Sequence, residues 1–319
     1  MLVLFPEIKP YQRHRLRVSD HHELYLDEAG NPDGIPVLFV HGGPGAACNV
    51  SSRRFYDPAL YRIITFDQRG CGRSTPHSSL DQNTTQDLIQ DMEQIRQYLT
   101  VQQFVLFGGS WGSTLSLLYA QAYPEHVKAM ILRGIFLCRQ QDLDWFYKDG
   151  ANRIFPDHWE EFSKHIPETE RSELVSAYYH RLTGNDELAR MGAAKAWAAW
   201  EGNCAKLRPS VETLAKFIRP HNAIALARIE AHYFMHKGFI EENQILDNME
   251  SIASIPGRIV HGRYDMVCPL VNAQLLHQHW SASELHIVRD AGHAASEPGM
   301  VDALIRATGD FGKQFDMAE

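Results

Sequence analysis

The feature that most constrains this chain is a serine flanked by glycines at residues 108–112, which read Gly-Gly-Ser-Trp-Gly. An apolar run at residues 104–107 precedes it, and a helical pattern at residues 113–123 follows it. In a strand–turn–helix of this kind, glycines relieve crowding, so the serine sits on a strained backbone with its hydroxyl exposed at the carboxyl end of a sheet. The spacing therefore predicts that Ser110 is a nucleophile.

Apolar runs typical of buried strands recur along the chain and alternate with helical patterns. Because these runs are continuous rather than alternating apolar and polar, they predict a sheet that is covered on both faces. Thr84 is a predicted N-cap, and residues 271–280 form another predicted helix. The alternation indicates an α/β fold with a mostly parallel central sheet flanked by helices. The predicted strands are residues 37–40, 62–66, 104–107, 127–132, 258–260 and 285–288.

The strand patterns stop between residues 137 and 251, where helical and aromatic-rich sequence takes over. This segment contains four of the six tryptophans, Trp145, Trp159, Trp197 and Trp200. It predicts an all-helical cap domain at residues 137–251, inserted into a sheet domain made of residues 1–136 and 252–319.

Composition argues against several classes of protein. The net charge is −8 and no basic block is present, so nucleic acid is not an expected partner. No segment approaches the roughly 20 apolar residues that span a bilayer, so membrane association is not expected either. The five cysteines are scattered without a CxxC pair, which favours a reducing cytoplasm and predicts no disulfide framework and no metal site.

A serine nucleophile needs a base, and the base needs an orienting acid. In sheets of this kind the chain order is serine, acid, histidine, each just beyond a strand. Asp265 follows the strand at residues 258–260, and His293 follows the strand at residues 285–288. Ser110, Asp265 and His293 are therefore the predicted catalytic residues.

Other acids are possible partners for the histidine. Asp290 and Glu284 lie near it in the chain, but Asp290 is on the same short loop and would point poorly at the imidazole ring. Asp67 fits a structural turn better.

Acyl transfer also requires hydrogen-bond donors for the oxyanion of the tetrahedral intermediate. Residues 41–45, His-Gly-Gly-Pro-Gly, directly follow a predicted strand, and their backbone can approach a ligand closely. The backbone N–H groups of Gly43 and Trp111 are the predicted oxyanion hole.

Taken in order, these motifs resemble those of the proline iminopeptidases, which are serine peptidases of the α/β-hydrolase superfamily. The resemblance spans nearly the whole chain and implies an α/β-hydrolase fold with a helical cap. The activity it implies is release of an N-terminal proline from peptides through an acyl-enzyme on Ser110. The motifs that carry it are residues 41–45, 67–74, 108–113, 132–136, 262–265 and 292–293.

An N-terminal proline carries a cationic secondary amine, which calls for fixed carboxylates beside an apolar pocket. Glu201 and Glu230 each lie at helical spacing from apolar cap residues, and a carboxylate on a buried stripe is costly unless it meets a cation. In similar iminopeptidases two cap glutamates hold the amine, and these two positions match. The alternative is that each pairs with an arginine, such as Arg228 or Arg208, or is simply solvated.

The resemblance also implies a pocket for the proline ring, formed by Phe136, Phe146, Val267 and Cys268. From the residues alone, these are equally well ordinary core residues. The implied chemistry needs no cofactor and no metal, and its partners are peptides with a free N-terminal proline. A carboxylesterase or another acyl hydrolase of the same fold remains the alternative, because it would use the same catalytic residues. The oligomeric state is not indicated by the sequence.

Overall fold

A computed structural model describes residues 1–316, and its centre is a single eight-stranded sheet. The spatial order of the strands is β1-β2-β4-β3-β5-β6-β7-β8. Strands β3 to β8 pair in parallel, whereas β1 and β2 run antiparallel at one edge. The strands are β1 (Gln12–Arg17), β2 (Glu23–Gly30), β3 (Ile35–Val40), β4 (Tyr61–Asp67), β5 (Phe104–Ser110), β6 (Val127–Ile135), β7 (Gly257–Gly262) and β8 (Ser283–Val288).

The six predicted strands are confirmed, and the two antiparallel strands were missed for a physical reason. β1 is an exposed polar edge strand with the sequence QRHRLR. β2 is largely buried but contains two buried acids, Asp27 and Glu28, so it does not read as an apolar run. Asp27 is neutralised by Arg53 at 3.2 Å, and Glu28 by Arg62 at 2.6 Å. These arginines are distant from β2 in the chain, so the local sequence of β2 does not indicate that its acids can be buried.

Long helices cover both faces of the sheet. Thr84 caps α1, as predicted, and its hydroxyl accepts the Asp87 N–H. Leu88, Met92 and Ile95 on α1 are buried against the same face of the sheet as α2 and α11, while α12 packs on the other face. These helices are α1 (Thr85–Tyr98), α2 (Trp111–Ala122), α11 (Leu270–Gln278) and α12 (Pro298–Asp316).

The segment between β6 and β7 contains helices, and residues 136–256 include no strand. α7, α9 and α6 form the largest packing contacts within this insertion, and three of its tryptophans, Trp159, Trp197 and Trp200, lie in the aromatic core. The cap boundaries at residues 137 and 251 stay predictions. Its helices are α3 (Gln140–Tyr147), α4 (Ala151–Ile154), α5 (Pro156–Ser163), α6 (Leu174–Thr183), α7 (Glu187–Cys204), α8 (Val211–Phe217), α9 (Pro220–Met235) and α10 (Gln244–Asp247). In residues 1–316, no helix combines the length and apolar character that crossing a bilayer requires.

A carboxylate network joins α1 to α2, the helix that begins directly after Ser110. Glu93 accepts a bidentate contact from Arg96 at 2.7 and 2.9 Å and the Tyr119 hydroxyl at 3.0 Å. Burial alone would raise the pKa of Glu93, but these hydrogen bonds outweigh it and lower the pKa to about 2.

This lowered pKa predicts an acid-dependent loss of stability. Because the folded pKa of Glu93 lies below its ordinary value of 4.5, the carboxylate stabilises the fold above that value, and the contribution is lost as the pH falls towards 2. Between about pH 5 and about pH 3, the wild type should lose more free energy of unfolding than Glu93→Gln, by on the order of 1 kcal/mol. Urea unfolding at both pH values measures this difference. The exposed Glu187→Gln should follow the wild type, and parallel losses in wild type and Glu93→Gln would exclude the network as the cause.

Candidate active site

Ser110 lies at the end of β5, where the chain turns into α2. Its backbone has φ 57° and ψ −127°, in the left-handed region that a residue with a side chain rarely adopts. Gly112 faces the Val40 carbonyl oxygen, and Gly108 faces the Gly112 carbonyl oxygen, so closely that a Cβ at either glycine would clash. The flanking glycines therefore permit the turn by close backbone packing, and Ser110 remains partly exposed.

The predicted acid and base are in contact. His293 Nδ1 lies 2.8 Å from Asp265 Oδ2, and the other oxygen of Asp265 accepts the Cys268 N–H at 2.8 Å and the Val267 N–H at 3.1 Å. Burial by itself would raise the pKa of Asp265, but the charge and hydrogen bond of His293 outweigh it, so the pKa is lowered. An ionised Asp265 fixes the tautomer in which Nδ1 carries the proton and Nε2 is free to accept one.

The other acids considered as partners for the histidine have different environments. Asp290 is exposed, and Glu284 pairs with Arg258 at 2.9 Å on the surface. Asp67 is buried and binds the Cys48 N–H and the Arg73 side chain, as a structural turn residue would.

The serine and the histidine are not hydrogen bonded to each other within the described structure. His293 Nε2 instead lies 3.3 Å from Arg133 Nη1, which also donates to the His293 carbonyl oxygen at 3.0 Å. Arg133 stands at the end of β6, opposite Gly109 of β5. Its position beside the reactive nitrogen was not anticipated, although it falls within the motif at residues 132–136.

The imidazole of His293 rests on the backbone of Gly134. This glycine has φ 52°, and an added Cβ would lie 2.9 Å from His293 Cε1 and 3.0 Å from Nδ1. His261 is a second buried histidine beside Asp265: it donates Nε2–H to the Cys268 carbonyl and accepts the Ile135 N–H. Burial lowers the pKa of His261, so it is a neutral structural support.

The two predicted oxyanion donors lie on neighbouring segments. Gly43 has φ 109°, and Trp111 is the first residue of α2. Neither backbone N–H donates to an acceptor among residues 1–316. Gln68 links the two segments, because its amide donates to the His41 carbonyl at 2.8 Å and accepts the Trp111 indole N–H at 3.1 Å. No role for Gln68 was predicted, and only its place directly after β4, within the motif at residues 67–74, could have suggested one.

The two predicted cap glutamates lie together. Glu201 on α7 accepts the Tyr147 hydroxyl at 2.6 Å, and Glu230 on α9 accepts the Trp197 indole N–H at 2.7 Å. The two carboxyl groups are within hydrogen-bonding reach of each other. Burial raises the pKa of both, and the charge of Glu201 raises that of Glu230 further.

No arginine or lysine of the described chain forms an ion pair with either glutamate. Arg228 donates instead to the Leu182 carbonyl at 3.0 Å, and Arg208 is exposed. The hydrogen bonds from Tyr147 to Glu201 and from Trp197 to Glu230 were not predicted from the sequence.

A cavity of about 920 Å³ connects these groups. Ser110, His293 and Gly43 line it from the sheet domain, and Glu201 and Glu230 line it from the inserted helices. All four residues of the predicted ring pocket, Phe136, Phe146, Val267 and Cys268, also lie on its wall. Tyr147 and Phe234 extend this apolar wall. Residues 1–316 contain no cluster of three or more histidine, cysteine or acidic side chains arranged to hold a metal ion.

The sheet order, the strained serine turn and the acid–histidine pair define an α/β hydrolase. Residues 35–299 match the family model described as alpha/beta hydrolase fold. Two solved structures share this fold at low sequence identity. A putative lipase from Acinetobacter baumannii has a TM-score of 0.67, 14% identity and coverage of 97% of this chain and 93% of its own. An esterase from Exiguobacterium antarcticum has a TM-score of 0.65, 19% identity and coverage of 94% and 98%.

Closer relatives identify the family. A proline iminopeptidase from Xylella fastidiosa (strain 9a5c) is 51% identical over 98% of this chain and 100% of its own length. Another from Arabidopsis thaliana is 50% identical over 95% and 80%, and one from Neisseria gonorrhoeae is 44% identical over 95% and 97%. This chain belongs to the proline iminopeptidases, a family of serine hydrolases with the α/β-hydrolase fold.

The contact between Gly134 and the imidazole predicts the effect of one added methyl group. In Gly134→Ala, the Cβ would displace His293, and the positive φ adds backbone strain. Because misplacement by about 1 Å can cost about 100-fold in rate, we expect kcat to fall by about that factor, with KM little changed. Steady-state kinetics on a chromogenic substrate, together with thermal unfolding, measures this.

Gly309→Ala is the matched control, because an added Cβ at Gly309 on α12 meets nothing within 4 Å. It should retain wild-type kcat. A folded Gly134→Ala with wild-type kcat would show that the glycine does not position the histidine.

Proposed function

We propose that this protein removes an N-terminal proline from peptides, with Ser110, Asp265 and His293 as the catalytic residues. The observation that carries the proposal is the pair Glu201 and Glu230. These carboxyl groups face the cavity that contains Ser110, and no basic residue within the described chain neutralises them. A site of this kind is suited to a ligand that brings its own positive charge.

The cationic amine of an N-terminal proline supplies the positive charge that the two glutamates lack. Burying carboxylates without a cation is unfavourable, and the raised pKa values of both groups are the sign of that cost. An N-terminal amine between them restores the charge balance through charge-assisted hydrogen bonds. The hydrogen bonds from Tyr147 and Trp197 hold the carboxyl groups in place without neutralising them.

The apolar wall suits the rest of the proline. Phe136, Phe146, Val267 and Cys268 line the same cavity as the glutamates and Ser110, and we assign them to the pyrrolidine ring. A blocked amine, or further residues ahead of the proline, would meet the cap helices. The arrangement therefore favours an exopeptidase that acts on the first residue.

The proposed reaction follows from the His293 tautomer that the contact with Asp265 favours. Nε2 of neutral His293 takes the Ser110 proton while Oγ attacks the prolyl carbonyl, and Asp265 stabilises the resulting imidazolium. The oxyanion is stabilised by the backbone N–H groups of Gly43 and Trp111. His293 then protonates the leaving amine, the C–N bond breaks, and water hydrolyses the acyl-enzyme by the same proton transfers. The residues described need no cofactor for these steps.

A carboxylesterase would use the same serine, acid and histidine. A neutral acyl group, however, would leave the charge at Glu201 and Glu230 unbalanced, and the full-length relatives at 44–51% identity are named as proline iminopeptidases. We therefore favour the peptidase. All five cysteines are buried and unpaired, which supports a reducing cytoplasm as its compartment.

The amine requirement can be tested with three naphthylamide substrates, those of proline, alanine and N-acetylproline. The wild type should hydrolyse the proline compound fastest and should fail on N-acetylproline, because acetylation removes the charge. Glu201→Gln and Glu230→Gln should each lower kcat/KM for the proline compound by about 100-fold, since each leaves a charge-assisted hydrogen bond unmade. The exposed Glu187→Gln on the same helix α7 is the control. Equal rates on the proline and N-acetylproline naphthylamides would contradict the hypothesis that the protein is an aminopeptidase.

The role of the serine has its own test. A fluorophosphonate should label the wild type once per chain and should not label Ser110→Ala, whose kcat should fall at least about 10⁴-fold. Ser251→Ala, at an exposed serine outside the cavity, should label and turn over normally. Labelling that persists in Ser110→Ala would assign the nucleophile elsewhere.

A further inference from the structure

Arg133 is a cation inside the active-site cavity that the proposed mechanism does not use. It extends from the end of β6 across Gly109, where a Cβ would clash with its guanidinium group, to His293. It lines the same cavity as Ser110 and Glu230. Its charge therefore lies on the sheet side of the cavity, whereas the two glutamates lie on the cap side.

No carboxylate in the described part of the chain pairs with Arg133. Asp265 is the charged carboxylate that acts on it through space, but both oxygens of Asp265 are engaged by His293 and by the N–H groups of residues 267 and 268. Burial lowers the pKa of Arg133, and the charge of Asp265 offsets this effect only in part.

Most of the hydrogen-bonding capacity of Arg133 is also unused. A guanidinium group has five N–H donors. Nη1 contacts the carbonyl oxygen and Nε2 of His293, at 3.0 and 3.3 Å. Within residues 1–316, Nε and Nη2 have no acceptor, and yet no nitrogen of this side chain is among the fully buried polar atoms without a partner. These donors are therefore accessible from the cavity.

We propose that Arg133 binds a carboxylate beside His293 Nε2, at the reacting end of the substrate. This inference rests on the proposed function, which places the reaction at that nitrogen. A guanidinium group matches a carboxylate geometrically through two parallel hydrogen bonds.

Two carboxylates can reach this position. When Nε2 accepts a proton from water, the water oxygen joins the prolyl carbonyl carbon, the bond to Ser110 Oγ breaks and the proton returns to Oγ. The product proline then carries a new carboxyl group close to Nε2, and this group becomes a carboxylate when it releases the second proton of the water to solvent. Alternatively, in a proline dipeptide, the leaving residue receives its proton from Nε2 and carries its own carboxylate on the same side.

The first source makes free proline an inhibitor that is held at both ends, by the cap glutamates at its amine and by Arg133 at its carboxylate. The second source makes dipeptides better substrates than longer or amidated peptides. Both effects depend on the positive charge of Arg133. They differ in which compound, L-proline or Pro-Gly, loses its advantage when Arg133 is replaced.

The test compares compounds that carry the carboxylate with matched compounds that lack it. L-Proline and L-prolinol, which lacks the carboxylate, serve as inhibitors, and Pro-Gly and Pro-Gly amide serve as substrates. The wild type should bind L-proline more tightly than L-prolinol, or hydrolyse Pro-Gly with a higher kcat/KM than its amide. In Arg133→Gln, at least one of these two preferences should shrink by about tenfold or more, because a charge-assisted pair is lost. Arg133→Lys should restore part of it, and the exposed Arg263→Gln should behave as the wild type.

The responding compound identifies the source: loss of the L-proline preference indicates the product carboxylate, and loss of the Pro-Gly preference indicates the dipeptide. A wild type that prefers neither carboxylate compound overturns the proposal without any variant. The proposal is also overturned if Arg133→Gln changes the binding or kcat/KM of each charged compound and of its uncharged counterpart by the same factor. A purely structural arginine would give that result. Failure of the proposed function looks different, because the wild type would then not hydrolyse proline naphthylamide at all.

Discussion

Close backbone packing around the serine turn is the constraint on which the rest of the site depends. Gly112 lies against the Val40 carbonyl, and Gly108 lies against the carbonyl of Gly112, so the ends of β3 and β5 and the start of α2 meet without intervening side chains. This packing holds Ser110 at φ 57° and brings the loop that contains Gly43 next to Trp111. Gln68 then joins the two segments by hydrogen bonds. The strain at the serine is sustained by the packed sheet around it.

Charge is distributed unevenly across the cavity above this turn. Within residues 1–316, the two carboxyl groups on the inserted helices have no basic partner, and Arg133 on the sheet has no acidic partner. Pairing these groups with each other would satisfy both, but they belong to different walls of one cavity. A zwitterionic ligand such as an amino acid complements this arrangement, with its amine towards the cap and its carboxylate towards the sheet.

The parallel part of the fold could be predicted because its strands are buried on both faces and read as apolar runs, whereas β1 and β2 could not. Burial of Asp27 and Glu28 is possible only because Arg53 and Arg62 reach them from other parts of the chain. The site shows the same division. Asp265 and His293 follow strands directly, so their contact was predictable, but the approach of Arg133 to His293 joins residues that are 160 positions apart.

The sequence by itself determined the positions that local chemistry marks: a glycine-flanked serine, an acid and a histidine that each follow a strand, and two glutamates on apolar helix faces. Strand ends and helical periodicity are local properties, so these residues can be recognised without coordinates. Only the tertiary structure decided that the glutamates lie next to each other rather than next to an arginine, and that Tyr147 and Trp197 donate hydrogen bonds to them. It also decided that Arg133 lies beside His293 Nε2 without a carboxylate partner among residues 1–316. These contacts depend on how the inserted helices pack over the sheet. No local sequence pattern specifies the packing of segments that are far apart in the chain.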